Sequence, residues 1–238
     1  MATKKAEVTE KQQVITIKPI KVSKANITLI GDTPLLVHAW SEKAKKEMLE
    51  AQQKLKKDKK AKEIRDPFAE FMDALYWITP KPEERTPEAY EKAVVEGAKF
   101  GFPITAIKQA ALSACYRAGV IPNMKGMMCH FYVNPVEGAD LGTGSELAVI
   151  DTKAPPFFRE DMVKIGGMTK VADLRYRPSF KDWKIRLTIS LIETGTFTME
   201  SIVNAINMGG FMNGIGEWRM ERNGDFGRYH VEIDEEVK

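Results

Sequence analysis

The segment WKIRLTISLIETGTFTMESIVNAINMGG, residues 183–210, joins the clearest strand of the sequence to an amphipathic helix. Apolar residues alternate with polar ones in 183–193, which predicts a strand with one buried face. Thr198 or a neighbouring residue begins the helix, which we expect to end at Gly209-Gly210. The apolar positions are Ile185, Leu187, Ile189 and Leu191 in the strand, and Ile202, Val203, Ile206 and Met208 in the helix.

Upstream, FGFPITAIKQAALSACYRAG (100–119) is the strongest helix pattern of the sequence. Pro103 lies just before its start, Thr105 can cap it, and Gly119 ends it. Further strands are predicted at 14–30, as a strand pair or one long strand broken near Pro19, and at 127–133, 146–150 and 228–233.

We expect one domain over 14–238, preceded by a disordered stretch at 1–13. Two parts of it are interpreted as insertions. About 41–97 holds a helix capped by Ser41, a lysine-rich stretch, a helix over 66–78 and a loop with a short helix at 80–97; about 151–182 is a basic and aromatic loop. The lysine-rich stretch is either a solvated helix and loop or a basic arm over a phosphate backbone. The order left without the insertions and one hairpin, βαββαβ, predicts an α+β fold with an antiparallel sheet of the ferredoxin-like, RRM-like kind.

The composition excludes several classes of protein. Cys115 and Cys129 are the two cysteines of the 238 residues, and the absence of a CxxC pair argues against a disulfide framework or a zinc module. A polar N-terminus and the lack of a long apolar run predict a cytoplasmic protein without a membrane partner. No dinucleotide fingerprint or phosphate-binding GK[ST] loop occurs, so we expect no cofactor. The net charge of +3 alone is weak support for a nucleic-acid partner.

The densest functional signal is the glycine-rich segment, GGFMNGIGEWRMERNGDFGRYH (209–230). Glycine lets a backbone approach a ligand closely, and successive N–H groups can hold an anion. Arginine forks suit phosphate, and aromatic faces suit stacked bases. The residues of interest are Gly214, Gly216, Gly224, Arg219, Arg222, Arg228 and Trp218. The alternative is a glycine-rich hairpin in which aromatic residues such as Phe226 and Tyr229 belong to the core.

A second signal is the basic–aromatic segment, residues 157–184. Basic residues interleaved with aromatic ones in an irregular loop fit a groove for a single strand, and Arg175, Tyr176 and Arg177 are its candidate contacts. An ordinary surface loop with a few anchoring aromatic residues explains the pattern equally well.

The GxG…R…GxFGR pattern of the glycine-rich segment resembles the glycine-rich loop of the RAMP superfamily, the RRM-like proteins that form the backbone of CRISPR effector complexes. FPITAIKQAALSACYRAG resembles the "IPxSSLKGALR" segment of that superfamily, with Lys108 and Arg117 at its basic positions, and ITLIGDTPLLVH resembles its first strand. The pattern is also similar to proteins that are common in tailed-phage genomes. The resemblance implies subunits side by side along one strand of nucleic acid, gripped by the two insertions.

The sequence therefore predicts a non-enzymatic protein that coats single-stranded DNA or RNA as a homo-oligomer. One alternative is a phage structural or assembly protein, in which the glycine-rich segment contacts a neighbouring subunit. The other is a metal-independent endoribonuclease, since some RAMP endoribonucleases use a histidine near the position of His38 as general base. Isolated carboxylates argue against a two-metal site.

Overall fold

The computed structural model describes residues 19–40, 42–53, 64–140, 146–165 and 171–234. Over these residues the chain is an α+β structure whose strands pair antiparallel throughout. The strands are β1 (Val22–Gly31), β2 (Leu35–Leu36), β3 (Gly101–Pro103), β4 (Phe131–Pro135), β5 (Gly138–Asp140), β6 (Glu146–Val149), β7 (Asp151–Thr152), β8 (Phe157–Ile165), β9 (Val171–Phe180), β10 (Trp183–Ile192) and β11 (Tyr229–Ile233). The helices are α1 (Glu42–Gln52), α2 (Pro67–Asp73), α3 (Pro87–Val95), α4 (Ile104–Arg117), α5 (Met124–Met128) and α6 (Met199–Met212), with a 3₁₀ turn at Met220–Arg222.

The main sheet has the order β11-β1-β10-β4, and β7 pairs with the start of β10. Ile27 of β1 lies opposite Leu187 of β10 on one side and Ile233 of β11 on the other. Helices α4 and α6 pack on one face of this sheet and on each other. The predicted apolar face of β10 is confirmed, because Ile185, Leu187, Ile189 and Leu191 are all buried.

The end of α6 differs from the prediction, because Gly209 and Gly210 lie inside the helix. A Cβ atom on Gly209 would lie 2.8 Å from the backbone nitrogen of Ala111 in α4, and one on Gly210 would lie 2.1 Å from the carbonyl oxygen of Tyr229. These glycines therefore permit close packing between elements, where the pattern suggested a helix end. The predicted start is confirmed, since the Thr198 side chain accepts a hydrogen bond from the N–H of Ser201.

The prediction of an irregular loop at 151–182 is wrong. Strands β8 and β9 form a long antiparallel hairpin there, with Arg159 opposite Arg177 and Glu160 opposite Tyr176. This hairpin continues into β2 as a second sheet of order β2-β9-β8, and a third sheet has the order β3-β6-β5. Helix α2 packs on the β8–β9 hairpin at the start of β8, where Phe68 and Phe71 contact the ring of Phe158.

Three smaller predictions also need correction. The helix over 66–78 ends at Asp73, because the chain at Tyr76 turns to accept a hydrogen bond from the N–H of Gly101. The strand over 127–133 begins only at Phe131, since α5 occupies 124–128. The cap of α4 is Pro103, which has no side-chain hydrogen bond, so Thr105 does not cap it.

Other predicted features are confirmed, or they concern residues outside the described ranges. The short helix in 80–97 is α3, the strand at 146–150 is β6, and Gly119 follows the end of α4 with φ +71°. The stretch 1–13, the strand start at 14–18, Ser41 and the lysine-rich residues 54–63 lie outside the described residues. None of the helices in the described ranges has the length and apolar character needed to cross a membrane.

Candidate nucleic-acid interface

The glycine-rich segment is fastened to the turn that follows β1. The N–H of Glu217 donates to the carbonyl oxygen of Leu36 at 2.9 Å, and the N–H of Gly227 donates to that of Pro34 at 2.8 Å. Both turns lie where β1 ends and β11 begins, so the pairing of these two strands brings them together. The turn that follows β1, residues 32–36, and the glycine-rich segment thus form one structural unit.

The glycines of this unit serve its own packing. Gly216 has φ +80°, and a Cβ there would lie 2.3 Å from the carbonyl oxygen of Leu36. A Cβ on Gly224 would lie 1.6 Å from the carbonyl oxygen of Trp218, and Gly214 has φ +66°. Close approach of the protein's own backbone therefore explains why these positions are glycine, and no ligand is needed to explain them. Their contact with nucleic acid stays a prediction.

Beside this unit lies an open cleft of about 920 Å³. Most of its walls come from the turn after β2, helix α2 with the residues before it, the hairpin strand β9 and the glycine-rich segment, and Glu47 of α1, Arg85 and Val163 of β8 complete them. The volume falls within the range of roughly 300–1,000 Å³ that is typical of small-ligand sites. The residues that line the cleft and matter for its chemistry are His38, Trp40, Arg65, Glu70, Arg175, Tyr176, Arg177, Glu217 and Trp218.

Arg177 is the central charge of the cleft wall. Only 2% of it is exposed, and one of its terminal nitrogens donates to Asp161 at 3.0 Å. The other lies 3.5 Å from Glu217, and Nε has no acceptor among the described residues. Burial lowers the pKa of Arg177, and the nearby carboxylates of Asp161 and Glu217 oppose this effect. A guanidinium remains charged in proteins, so the wall carries a buried cation with unused donor capacity.

Trp218 stands over this cation in an unusual backbone conformation. Its φ is +47°, a left-handed conformation that L-residues other than glycine adopt at a cost of roughly 1–2 kcal/mol. The guanidinium of Arg177 lies 4.6 Å from its ring, and that of Arg159 lies 5.9 Å away. The strained backbone places a half-buried indole between two arginines at the cleft wall. Strain of this kind is concentrated at functional sites.

The charges along the cleft are balanced. Four arginines line it together with five carboxylates: Arg65, Arg85, Arg175 and Arg177, against Glu47, Asp66, Glu70, Asp73 and Glu217. Several of them form ion pairs with one another or with close neighbours; Arg65, for example, lies 2.7 Å from Glu70 and 2.8 Å from Asp173. The cleft is therefore not a uniformly cationic groove. A nucleic acid bound here would be held by few phosphates and by ring stacking.

His38 lies in the same cleft and is largely buried. Desolvation lowers its pKa; Glu217 raises it, while Arg175 and Arg177 lower it further. The imidazole is therefore neutral at neutral pH. Its backbone carbonyl accepts a hydrogen bond from the hydroxyl of Tyr76 at 3.4 Å.

Tyr176, predicted to stack on a base, is 8% exposed. Its ring packs at 5.5 Å from that of Phe158 on one side and 5.6 Å from the guanidinium of Arg65 on the other. It therefore supports the cleft from behind and presents little surface to a ligand. Arg175 is more open, with a single ion pair to Asp173 at 3.2 Å.

The arginines of the glycine-rich segment differ in how free they are. Arg219 donates to the carbonyl oxygen of Gly216 at 3.0 Å and pairs with Glu221 at 2.8 Å, so it holds the segment together. Arg228 lies 3.4 Å from Asp225. Arg222 is exposed, and its side chain forms no ion pair or hydrogen bond within the described ranges. Arg222 and Arg228 are thus the arginines of this segment best placed to contact phosphate.

The two basic residues of α4 lie elsewhere. Nζ of Lys108 donates to the carbonyl oxygen of Phe131 at 2.6 Å and lies over the ring of Tyr132, and burial lowers its pKa. Arg117 pairs with Glu221 at 2.7 Å. Neither lines the cleft. Because Glu221 also pairs with Arg219, the structure brings Arg117 to the arginines of the glycine-rich segment, whereas Lys108 contacts Phe131 and Tyr132 instead.

Trp40 was not predicted from the sequence, and Arg159 was part of the basic–aromatic segment without being a candidate contact. Trp40, 60% exposed, stands at the cleft beside His38. Arg159 lies 4.8 Å from the ring of Phe226, in addition to its contact with Trp218. An exposed tryptophan just after the DTPLLVH turn was the available signal for Trp40. Of the two aromatic residues assigned to either core or ligand, Tyr229 is buried in the core and Phe226 is half-buried.

No family model matches the chain, and no curated protein is similar to it. The resemblance to the RAMP superfamily therefore depends on the sequence motifs alone. Within the described residues, no group of three or more His, Cys, Asp or Glu side chains is placed to hold a metal ion.

Proposed function

We propose that this protein binds single-stranded nucleic acid, without catalysis, at the cleft between the β8–β9 hairpin and the glycine-rich segment. The observation that carries the proposal is the contact of Trp218 with Arg177, 4.6 Å apart in the cleft wall. These residues come from two segments that the sequence marked independently. An aromatic ring beside arginines is the arrangement that sequence-tolerant binding of single strands requires.

The topology supports a ferredoxin-like, RRM-like domain. In chain order, β1, α4, β4, β10, α6 and β11 follow the pattern βαββαβ. In the sheet their strands lie fourth, first, third, second, all antiparallel. This arrangement is the one that the RAMP resemblance implies.

The open face of the main sheet is a weaker candidate than the cleft. RRM domains stack two or three bases on aromatic residues of that face. Here the face carries Asn26, Thr188 and Ser190, and Thr188 donates to Asn26 at 2.9 Å. The same face also carries the basic residues Lys24, Lys184 and Arg186. Tyr132 is the single aromatic side chain on that face among the described residues. The stacking surfaces of this protein lie instead at Trp40 and Trp218.

Binding at the cleft would combine stacking with a few phosphate contacts. Trp40 and the exposed part of Trp218 offer faces to bases, each stacked base contributing roughly 1–3 kcal/mol. Arg175 lines the cleft, and Arg222 and Arg228, which do not line it, are the least compensated arginines of the glycine-rich segment. About three neutralised phosphates give a slope of log K against log salt near −2. Side-by-side subunits, as the resemblance implies, would let many such sites cover one strand.

The test is fluorescence anisotropy of the purified protein with labelled single-stranded DNA, single-stranded RNA and duplex, at about 50 and 200 mM salt. Tighter binding of a single strand than of duplex, with a slope near −2, supports the proposal. A slope of about −6 would place the site on a strongly cationic surface outside the cleft. Failure to bind any of the three at low salt would reject the proposal and favour the assembly protein.

A second candidate function, metal-independent cleavage of RNA, is favoured by His38. A neutral imidazole in a cleft beside Arg175 and Arg177 has the protonation state of a general base next to cations that can stabilise an anionic transition state. Cleavage of labelled RNA in EDTA that is lost in His38→Ala would establish it. Intact RNA after prolonged incubation at a concentration where binding is saturated would exclude it.

A further inference from the structure

We propose that Glu217 occupies, in the free protein, the place that a ligand phosphate takes on Arg177, so that its carboxylate competes with the ligand and limits affinity. The inference deepens the proposed function and rests on it for the identity of the ligand. Its chemical content is narrower: the Arg177 site accepts one phosphate group, from a nucleic-acid backbone or from a free phosphate compound.

Arg177 is held in place by a buried ion pair. Its bond to Asp161 joins two side chains that are 3% and 4% exposed. Asp161 also accepts from Nε of Arg159 at 2.8 Å, so its carboxylate is engaged on both oxygens. The guanidinium is therefore fixed in orientation before any ligand arrives. A preorganised donor fork of this kind binds phosphate with little loss of side-chain entropy.

The contact of Arg177 with Glu217 is weaker than its contact with Asp161. At 3.5 Å it is longer than the roughly 2.7–2.9 Å of a good charge-assisted hydrogen bond. The Glu217 side chain is 47% exposed, so water competes for its carboxylate. Nε of Arg177 has no acceptor in the described part of the chain. Nε is buried, so the donor of Arg177 that a ligand can compete for is the terminal nitrogen toward Glu217.

The Glu217 side chain can leave this contact without disturbing the fold. Its backbone is held by the hydrogen bond to Leu36, so only the side chain has to rotate toward solvent. When it does, Arg159 and Arg177 face Asp161 alone, and the site has one excess positive charge. A phosphate restores the balance and takes over the terminal nitrogen of Arg177 that Glu217 leaves. Glu217 therefore acts as an internal substitute for the anion.

The experiment compares wild type with Glu217→Gln, which keeps the shape of the side chain and removes its charge. The matched control is Glu137→Gln, because Glu137 is 45% exposed, pairs with Lys99 and Arg186, and does not line the cleft. Glu217→Ala serves as a second variant should the glutamine variant be unstable. Two probes are used: a labelled single-stranded oligonucleotide in anisotropy, and inorganic phosphate or pyrophosphate in thermal-shift measurements.

Glu217→Gln is expected to bind the oligonucleotide about fivefold more tightly than wild type, the size of a partly exposed charge interaction. It should also gain a larger increase in Tm with pyrophosphate, while Glu137→Gln stays within about twofold of wild type. Equal or weaker oligonucleotide binding by Glu217→Gln, with an unchanged pyrophosphate response, would overturn the inference. If no variant binds the oligonucleotide but Glu217→Gln alone responds to pyrophosphate, the proposed function fails and the phosphate site stands. If wild type binds and the glutamine variant gains nothing over the control, the function stands and the role of Glu217 is rejected.

Discussion

The replacement Trp218→Gly separates a functional role of this residue from a structural one. Glycine adopts the observed φ of +47° without strain, whereas tryptophan does not. The substitution removes the ring from the cleft wall and relaxes the backbone at the same time. Its effects on stability and on binding are therefore expected to differ.

The stability effect is a difference of two opposing contributions. Loss of the contacts with Arg177 and Arg159 removes two cation–π interactions, each contributing roughly 0.5–1 kcal/mol, together with some apolar burial of a half-buried ring. Relief of the left-handed backbone returns roughly 1–2 kcal/mol. We expect the free energy of unfolding to fall by no more than about 2 kcal/mol. Binding, in contrast, loses a stacked base worth roughly 1–3 kcal/mol, which is about a 5-fold to 150-fold weaker Kd.

Urea unfolding and anisotropy with a single-stranded oligonucleotide measure the two quantities on the same preparation. Asn223→Gly is the matched control, because Asn223 also has positive φ, +59°, and carries no ring. The control should bind as wild type does. An unchanged Kd for Trp218→Gly, accompanied by a loss of more than about 3 kcal/mol in stability, would show that the indole is a core residue and refute the reasoning.

Three further predictions concern charge, packing and pH. Arg222→Ala should weaken binding of the oligonucleotide and reduce the slope of log K against log salt by about 0.7, with stability unchanged. Arg219→Ala should instead lower the Tm, because the Arg219 guanidinium is bonded within its own segment. Equal behaviour of the two variants would contradict this prediction. Gly210→Ala should cost about 1–3 kcal/mol in urea unfolding, since its Cβ would lie 2.1 Å from the carbonyl oxygen of Tyr229, and a neutral result would mean that α6 can shift. Burial lowers the pKa of His38 below its ordinary value of 6.5, so this histidine takes up a proton in the unfolded state before it does so in the folded state. Its contribution to the free energy of unfolding is therefore complete above pH 6.5 and falls as the pH drops below that value. His38→Gln should flatten this part of the curve of stability against pH, and an identical curve would assign the loss of stability to other groups.

Parts of the fold that depend on local patterns were predictable. The alternation in β10 and the helical spacing in α6 correspond to the buried faces of both elements. Thr198 and Gly119 mark helix ends through hydrogen bonding and backbone conformation that neighbouring residues determine. In each case the information lies within about ten residues of chain.

The hairpin β8–β9 was missed because its strands bury charge. Asp161 and Arg177 are both buried, so the alternation of apolar and polar residues that indicates a strand is absent. Their burial is tolerable only because each is the partner of the other. The two residues lie 16 positions apart in the sequence and meet only because β8 and β9 pair, so a local sequence pattern does not reveal their ion pair.

For the candidate site as well, some features could be predicted from residue types and others depended on the packing. The residue types alone indicated arginines and a tryptophan suited to a nucleic-acid strand in two separate segments. Whether each is free or engaged depended on the packing: Arg219 and Lys108 are bonded to the chain itself, Tyr176 is covered, and Trp40 is open. The sequence by itself determined the elements of the core and the chemical character of the two segments. Only the tertiary structure decided which side chains meet at the cleft, because ion pairs and burial between distant segments depend on how the strands pair and the helices pack.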